Sequence, residues 1–142
     1  RIETLMSSRA ECIGFLLIDI DDFKEINDQF GHQAGDRFLI RFGQEISDAV
    51  RTSDFVFRYA GDEFVVVLQI CDEVSLMNTA ERLRQKIEEL TVSWQGHSLH
   101  STISIGLALS NDAVRNGEEL MRIADDALYR AKNSGGNSSV LG

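Results

Sequence analysis

Two groups of acidic residues lie at the edges of strongly apolar runs in this sequence. Asp19 closely follows the run at residues 13–18, and Asp62-Glu63 precedes the run at residues 64–68. Apolar runs of this length are typical of strands that are buried on both faces. A carboxylate at the end of a buried strand is costly to desolvate unless it is paired or bound to a cation, and basic residues are sparse in the sequence beside Asp19 and Asp62. We therefore predict a site for a divalent metal ion and a triphosphate.

The ligand set of such a site is small. Asp19 and Asp62, together with a backbone carbonyl and substrate phosphates, would supply the oxygen ligands that magnesium favours. Aspartate also commonly caps helices and occupies turns, so either acid taken singly would be interpreted as structural.

The segment at residues 27–36 adds side chains that could recognise a base. Asn27 offers both a donor and an acceptor, and the Asp36 carboxylate could accept from the N1 and N2 hydrogens of guanine. The structural alternative is that Asn27 ends a helix and Asp36 begins one. His32 alone is more typical of a structural hydrogen bond than of a ligand or a base.

Composition limits the classes of partner. The 142 residues are 43% hydrophobic and 26% charged, which predicts one compact domain with a full core. The net charge of -9 argues against DNA or RNA as an extended partner, because affinity for phosphate backbones comes from clustered Lys and Arg. A small nucleotide that binds with magnesium remains compatible with this charge.

The sequence also predicts where the domain acts. No apolar run approaches membrane-spanning length and no signal peptide is recognisable, so we expect no direct membrane contact by this domain and a cytoplasmic location, either free or tethered to the inner membrane by an upstream region. Cys12 and Cys71 are predicted to be buried thiols. The chain opens at Arg1 without an initiator Met, and we expect it to be the C-terminal module of a longer sensor protein.

The spacing of apolar residues predicts the elements. Helical periodicity covers residues 21–29, 33–50, 76–90 and 117–133, with a short helical segment before the first strand. Strands are predicted at residues 55–59, 64–70, 92–94 and 99–109, and residues 60–63 form a hairpin turn. The order contains a βαββαβ core. We therefore predict an α+β fold of two layers, ferredoxin-like and similar to a polymerase palm, with helices on a mainly antiparallel sheet.

Motifs along nearly the whole chain resemble the GGDEF family of diguanylate cyclases, which condense two GTP molecules to cyclic di-GMP. The agreement includes LIDIDDFKEIND at residues 17–28, Gly31-His32 with Gly35-Asp36, RTSD at residues 51–54, RYAGDEF at residues 58–64, TISIG at residues 102–106 and ADDALYRAK at residues 124–132. The resemblance implies that residues 1–142 form a single such domain, which acts as a homodimer controlled by an upstream sensory domain.

The resemblance also implies roles for individual residues. The metal ligands, for two Mg²⁺ or Mn²⁺ ions per active site, would be Asp19, the Ile20 carbonyl and Asp62. The catalytic set would be Asp19, Asp62 and Glu63, with Glu63 in a supporting or metal-linked role. The substrate-binding set would be Asn27 and Asp36 at the guanine, Phe23, Lys24 and Lys132 around the phosphates, and Gly61 and His32.

A second site is implied by the pair Arg51 and Asp54. Their spacing matches the RxxD site at which family members bind their product as an inhibitor, and Arg82 matches an additional arginine of that site. The planar guanidinium can bind a phosphate or a guanine edge with paired hydrogen bonds. The alternative is a surface ion pair of little energetic value.

Two positions depart from the family pattern. Ala60 replaces the first glycine of the signature, which would cost about 1–2 kcal/mol if the residue has a positive φ. Gly136 replaces an arginine that would contact the triphosphate, which would weaken GTP binding roughly tenfold to a hundredfold if nothing substitutes. The alternatives to an active cyclase are therefore a receptor for cyclic di-GMP and a GTP-binding regulatory module with little turnover.

Overall fold

A computed structural model describes residues 12–51, 54–69, 72–111 and 116–142. The helical segment predicted before the first strand lies outside these ranges, as does Cys71. Cys12, predicted to be buried, is only partly buried. In the described part of the chain, none of the helices is both long enough and apolar enough to cross a membrane.

The described ranges contain four helices and seven strands. The helices are α1 (Phe23–Phe30), α2 (His32–Ala49), α3 (Glu73–Glu88) and α4 (Gly117–Asn133). The strands are β1 (Gly14–Ile20), β2 (Phe55–Ala60), β3 (Glu63–Leu68), β4 (Val92–Trp94), β5 (His97–Leu99), β6 (Ile103–Leu109) and β7 (Ser138–Leu141).

Five strands form one sheet in the order β2-β3-β1-β6-β7, and β4 and β5 form a separate two-stranded ribbon. β1 lies at the centre and is antiparallel to both β3 and β6, whereas β7 is parallel to β6. The predicted α+β fold with a mainly antiparallel sheet is therefore confirmed. β7 was not predicted, because its four residues begin with two serines and carry no strong apolar pattern.

Helices cover both faces of the sheet, which gives three layers where two were predicted. Alternate residues of β1 therefore pack into different cores. Leu16 and Ile18 contact the core beneath α2 and α3, whereas Phe15 and Leu17 contact the core beneath α4. Because successive side chains of a strand point to opposite faces, Asp19 belongs to the α4 face.

Two predicted boundaries were wrong in ways that affect the site. β1 extends to Ile20, so Asp19 lies inside a central strand. The strand predicted at residues 99–109 is interrupted at residues 100–102, where Ser101 and Thr102 form hydrogen bonds with Asp21. These contacts join distant parts of the chain, so the local spacing of apolar residues cannot predict them.

Candidate active site

Asp19 is the most deeply buried acid of the site, with only 3% of its surface exposed. It lies opposite Glu63 in the ladder between β1 and β3 and opposite Ser104 in the ladder between β1 and β6. Lys132 Nζ donates to its Oδ2, and within the described residues its Oδ1 has no hydrogen-bond partner. Burial raises the pKa of Asp19 to about 7, with the negative charge of Asp62 adding to the effect and the hydrogen bond from Lys132 opposing it.

Lys132 lies near the C-terminus of α4 and reaches the α4 face of the sheet, where Asp19 lies. Basic residues are sparse beside Asp19 in the sequence but not in space, because Lys132, 113 positions later, supplies a cation. Burial acts to lower the pKa of Lys132, but the hydrogen bond and charge of Asp19, with further negative charge nearby, outweigh it and raise the pKa.

The hairpin tip between β2 and β3 brings Asp62 to the end of β1. Its backbone carbonyl accepts a hydrogen bond of 3.3 Å from the Ile20 N–H. The left-handed backbone of the turn falls on Gly61, with φ 45°, and the Gly61 carbonyl accepts a hydrogen bond of 2.7 Å from Arg58 Nε. Ala60 is the last residue of β2, beside an irregularity in the ladder. The strain considered for Ala60 therefore does not arise.

Glu63 opens β3 and is partly buried. Burial is the largest influence on its carboxyl and raises its pKa, and the charges of Asp62 and Asp125 act in the same direction. The positive charge of Lys132 opposes this rise. Glu63 therefore holds its proton more readily than an exposed glutamate does.

A cavity of about 350 Å³ joins most of these groups. Its lining includes the three predicted metal ligands and the three residues predicted around the phosphates, which are Asp19, Ile20, Asp62, Phe23, Lys24 and Lys132. Lys24 is 90% exposed and lies 3.9 Å from the Asp28 carboxylate, so its ammonium can move towards a ligand at little cost.

Asp21 was missed as a site residue, and it proves to hold the neighbouring segments together. Its Oδ2 accepts from Thr102 Oγ1 at 2.6 Å and from the Asn137 N–H at 2.9 Å, and its Oδ1 accepts from Ser104 Oγ at 2.6 Å. Its backbone carbonyl accepts from Ser101 Oγ at 2.6 Å. The cluster of hydroxyl residues at 101–104, just before and within an apolar strand, was the sequence signal for such a partner.

Asn137 continues this network to α3. Its side chain accepts from Arg84 Nη1 at 2.8 Å and donates to Glu88 Oε2 at 2.8 Å. Hydrogen bonds with Glu81 raise the pKa of Arg84, so this arginine keeps its charge. The loop after α4 is thus fixed both to the end of β1 and to α3.

Gly136 also contacts Asp21. Its φ is 76°, and a Cβ at this position would lie 3.1 Å from the Asp21 carboxyl carbon. A glycine fits this close approach and this backbone angle, whereas a larger residue would be strained. No cationic side chain extends from this position into the cavity, and Lys24 and Lys132 are the cations that line it.

The residues predicted at the guanine come from two consecutive helices. Asn27 lies on α1, and the side-chain oxygen of Asn27 rests against the backbone of Gly35 on α2, next to Asp36. Asp36 is exposed, and His32 is exposed at the first residue of α2. The fold thus brings Asn27 and Asp36 to neighbouring positions.

A second cavity, of about 330 Å³, brings Arg51, Asp54 and Arg82 together. Asp54 does not pair with the Arg51 guanidinium. Its carboxylate accepts from the Arg51 N–H at 3.0 Å and from the Gln69 N–H at 3.1 Å, which fixes the loop. Arg82 Nη2 donates to the Ala49 carbonyl at 3.4 Å. Among the described residues, neither guanidinium forms an ion pair with a carboxylate, so both could bind an anion.

The cavity at Asp19, of about 350 Å³, suits a metal bound jointly with phosphates. Its lining includes the Asp19 carboxylate, one buried oxygen of which has no partner in the described part of the chain, together with Ile20 and Asp62. Carboxylate and carbonyl oxygens are the hard donors that Mg²⁺ prefers. No cluster of three or more His, Cys, Asp and Glu side chains suited to a metal occurs in the described ranges. The donor set is therefore one that substrate oxygens and water would have to complete.

Comparisons with known proteins identify related domains. The profile described as "Diguanylate cyclase, GGDEF domain" matches residues 1–138. Diguanylate cyclase DosC from Escherichia coli (strain K12) is 44% identical over 130 residues, which cover 91% of this chain and 28% of that protein. The chain thus spans less than a third of that relative.

Solved structures share the fold over almost the whole chain. The GGDEF domain of PA1120 (YfiN or TpbB) from Pseudomonas aeruginosa superposes with a TM-score of 0.93 at 31% identity, covering 100% of this chain and 91% of that one. The GGDEF domain of DgcB from Caulobacter crescentus, in complex with c-di-GMP, superposes with a TM-score of 0.91 at 26% identity, covering 99% of this chain and 85% of that one.

Proposed function

The chain belongs to the GGDEF family of diguanylate cyclases, and on that premise we propose that it condenses two molecules of GTP to cyclic di-GMP with release of two pyrophosphates. The observation that carries the proposal is the state of Asp19. Its carboxylate is almost fully buried and has one oxygen without a partner among the described residues, at the edge of a cavity that Lys132 also lines. A purely structural acid in this position would be costly, whereas a metal ligand is expected there.

The reaction needs little covalent participation by the protein. The 3′-hydroxyl oxygen of one GTP forms a bond to the α-phosphorus of the other, the bond to the β-phosphate bridging oxygen breaks, and the hydroxyl proton is lost. The same exchange in the opposite direction closes the ring. Catalysis therefore depends on holding the two nucleotides and on stabilising negative charge.

Asp19, the Ile20 carbonyl and Asp62 would hold the divalent ions, two Mg²⁺ or Mn²⁺ in each active site. When bound, these ions would lower the pKa of the attacking hydroxyl and neutralise charge on the phosphates. Glu63 supports this set from the neighbouring strand, and its raised pKa makes it a group that can hold a proton beside the reacting atoms.

The remaining side chains would bind the nucleotide. Lys132 and Lys24 line the cavity and supply positive charge for the triphosphate, with Phe23 at its wall. Asn27 and Asp36 would recognise guanine, because a carboxylate accepts from both N1 and N2 hydrogens of that base and finds no such pair on adenine. Gly61 would allow close approach at the hairpin tip, and His32 borders the base side.

Each domain would bind one GTP, so catalysis would require two copies of the domain facing each other. Dimerisation would then control the rate, and an upstream sensory domain in the same chain would control dimerisation. The domain would act in the cytoplasm, where GTP is supplied.

The cavity with Arg51, Asp54 and Arg82 is proposed as the site of product inhibition. Its two arginines are available for phosphate or guanine edges, and the similar DgcB domain is described in complex with c-di-GMP. A cyclic di-GMP receptor with little turnover is the second candidate function, and it would use the same cavity. It is favoured by Gly136, which brings no positive charge to the active-site cavity, where Lys24 and Lys132 are the lining cations.

The purified chain, incubated at high concentration with GTP and Mg²⁺ and analysed by chromatography, tests the proposal. We expect cyclic di-GMP and pyrophosphate from the wild type and none from Asp62→Ala. Asp126→Ala is the matched control, because Asp126 is an exposed acid of α4 that forms a surface ion pair with Arg122 at 3.6 Å. Absence of product even when dimerisation is forced by a fused coiled coil, with retained binding of cyclic di-GMP, would favour the receptor.

A further inference from the structure

Gly35 has no room for a side chain. It lies in the first half of α2, is buried, and its N–H donates to the Gly31 carbonyl at 3.2 Å. A Cβ built on Gly35 would lie 1.8 Å from Asn27 Oδ1 and 2.9 Å from Asn27 Cγ. Non-bonded atoms do not approach so closely, so the side-chain amide of Asn27 occupies the space that any other residue at position 35 would fill.

The backbone of Asn27 could not move away to relieve such a contact. It lies in the last turn of α1, and its carbonyl accepts a hydrogen bond of 2.8 Å from the Gly31 N–H, which ends the helix. The ring of Phe23 adds to the crowding, because its Cζ would lie 3.1 Å from a Cβ at position 35. A methyl group on Gly35 would therefore displace the Asn27 side chain itself.

We propose that Gly35 is a positioning residue for guanine recognition. Because Gly35 has no Cβ, the Asn27 amide can lie against α2 beside Asp36. The side chains of Asn27 and Asp36 can then form hydrogen bonds with the same guanine. This inference rests on the proposed function, because it assumes that Asn27 and Asp36 bind the guanine of GTP. It adds that a third residue, which makes no hydrogen bond to the base, sets the position of one of them.

The alternative is that a substitution at Gly35 acts only through the intrinsic stability of the helix α2, and the same helix contains a control that is matched in this respect. A Cβ on Gly43 would lie 3.5 Å from Phe64 Cε2, which is an ordinary van der Waals contact. In the interior of a helix, alanine is more stable than glycine. If Gly35 acted only through the helix, Gly35→Ala and Gly43→Ala would have similar effects on nucleotide binding.

The test compares the wild type, Gly35→Ala, Gly43→Ala, Asn27→Ala and the double variant Asn27→Ala/Gly35→Ala. Binding of the α,β-methylene analogues of GTP and ATP is measured by calorimetry with Mg²⁺, because these analogues cannot release pyrophosphate. Unfolding temperatures are recorded for every variant. These readouts do not depend on dimerisation or turnover.

We expect Gly35→Ala to weaken binding of the GTP analogue by about tenfold, which is the loss expected when one side chain no longer pairs with the base. The ratio of the affinities for the GTP and ATP analogues should also decrease. Gly43→Ala should bind within about twofold of the wild type. In the Asn27→Ala background, the added Gly35→Ala change should have less than about a twofold effect, because its target is already gone. If Gly35→Ala lowers the unfolding temperature, Asn27→Ala/Gly35→Ala should recover it.

Two results would overturn the inference alone. One is tight, guanine-selective binding by Gly35→Ala, and the other is an equal loss of affinity from Gly35→Ala with and without Asn27. Failure of the wild type and of Gly43→Ala to bind the GTP analogue would instead overturn the proposed function, and this inference with it.

Discussion

Lys132 of α4 donates to one oxygen of the buried Asp19 carboxylate, although 113 positions separate the two residues, and the second oxygen of Asp19 has no partner among the described residues. The pair explains part of how this acid is accommodated in a central strand, because the Lys132 ammonium supplies the opposite charge. That second oxygen is itself buried, in a residue that lines the cavity. The carboxylate therefore carries a poorly solvated charge, which a bound cation would offset.

Metal binding should depend on pH through Asp19. Burial raises its pKa to about 7, so protons and metal ions compete for the same carboxylate near neutral pH. We expect the affinity for Mn²⁺ to rise as the pH increases to about 7 and then to level off, with a fall approaching about tenfold per pH unit well below 7. Electron paramagnetic resonance titrations between pH 5.5 and 8.5 measure this. Asp126→Ala should show the same profile, and a profile unchanged in Asp19→Asn would exclude Asp19 as the titrating ligand.

The stability of the metal-free protein should decrease as the pH rises, whereas its affinity for metal increases. The pKa of Asp19 is higher in the folded state than in the unfolded chain, so the contribution of this group to stability is lost as the pH rises from about 4 through about 7. We expect Asp19→Asn to be more stable than the wild type at pH 8 in EDTA, by at most about 4 kcal/mol, and to differ little at pH 4. Urea unfolding at the two pH values measures the effect. Lower stability of Asp19→Asn at pH 8 would show that the pairing with Lys132 outweighs the cost of burial.

Removal of the Asp21 side chain should damage the site without touching the metal ligands. Asp21→Ala loses three hydrogen bonds and leaves the buried Ser104 hydroxyl without its acceptor, which should cost about 3 kcal/mol. The loop after α4 would then loosen, and we expect kcat/KM to fall with it. Asp21→Asn keeps an acceptor and should recover much of both losses, and Ser104→Ala should cost only about 1 kcal/mol. Equal damage from Asp21→Asn and Asp21→Ala would contradict this role.

Substitutions at Arg51 and Asp54 should have different effects, on product inhibition and on stability respectively, although both residues belong to one motif. Asp54→Ala removes the acceptor for two backbone N–H groups, so it should lower the free energy of unfolding by about 2 kcal/mol. Arg51→Ala should leave stability almost unchanged and weaken inhibition by cyclic di-GMP, because its exposed guanidinium has no ion pair with a carboxylate in the described structure. Inhibition constants and urea unfolding for both variants test this. Unchanged inhibition in Arg51→Ala would place the product elsewhere.

Positions 60 and 61 should respond differently to exchange of glycine and alanine. Ala60 is a strand residue, so Ala60→Gly should not raise activity and should reduce stability by about 0.5–1 kcal/mol. Gly61 has φ 45°, so Gly61→Ala should cost about 1–2 kcal/mol and shift the hairpin tip that carries Asp62. Thermal unfolding and the cyclase assay distinguish the two. A marked gain of activity in Ala60→Gly would show that the methyl group of Ala60 obstructs the nucleotide.

Much of the fold was accessible from the sequence because its elements have strong local patterns. The apolar run that ends before Asp19 predicts β1, and the helix predicted at residues 117–133 is observed as Gly117–Asn133. The motif around Asp62 predicts both a hairpin and a site, because a tight turn and its acids are encoded within a few residues.

The sequence by itself determined which chemical groups are present and in which elements they lie, since periodicity and turn chemistry act between near neighbours in the chain. Only the tertiary structure decided which groups meet. The pairing of Lys132 with Asp19, the hydrogen bonds that converge on Asp21 and the contact of Asn27 with Gly35 depend on the register of strands and the packing of helices. Those are set by the burial of the whole core, a global property that no local pattern specifies.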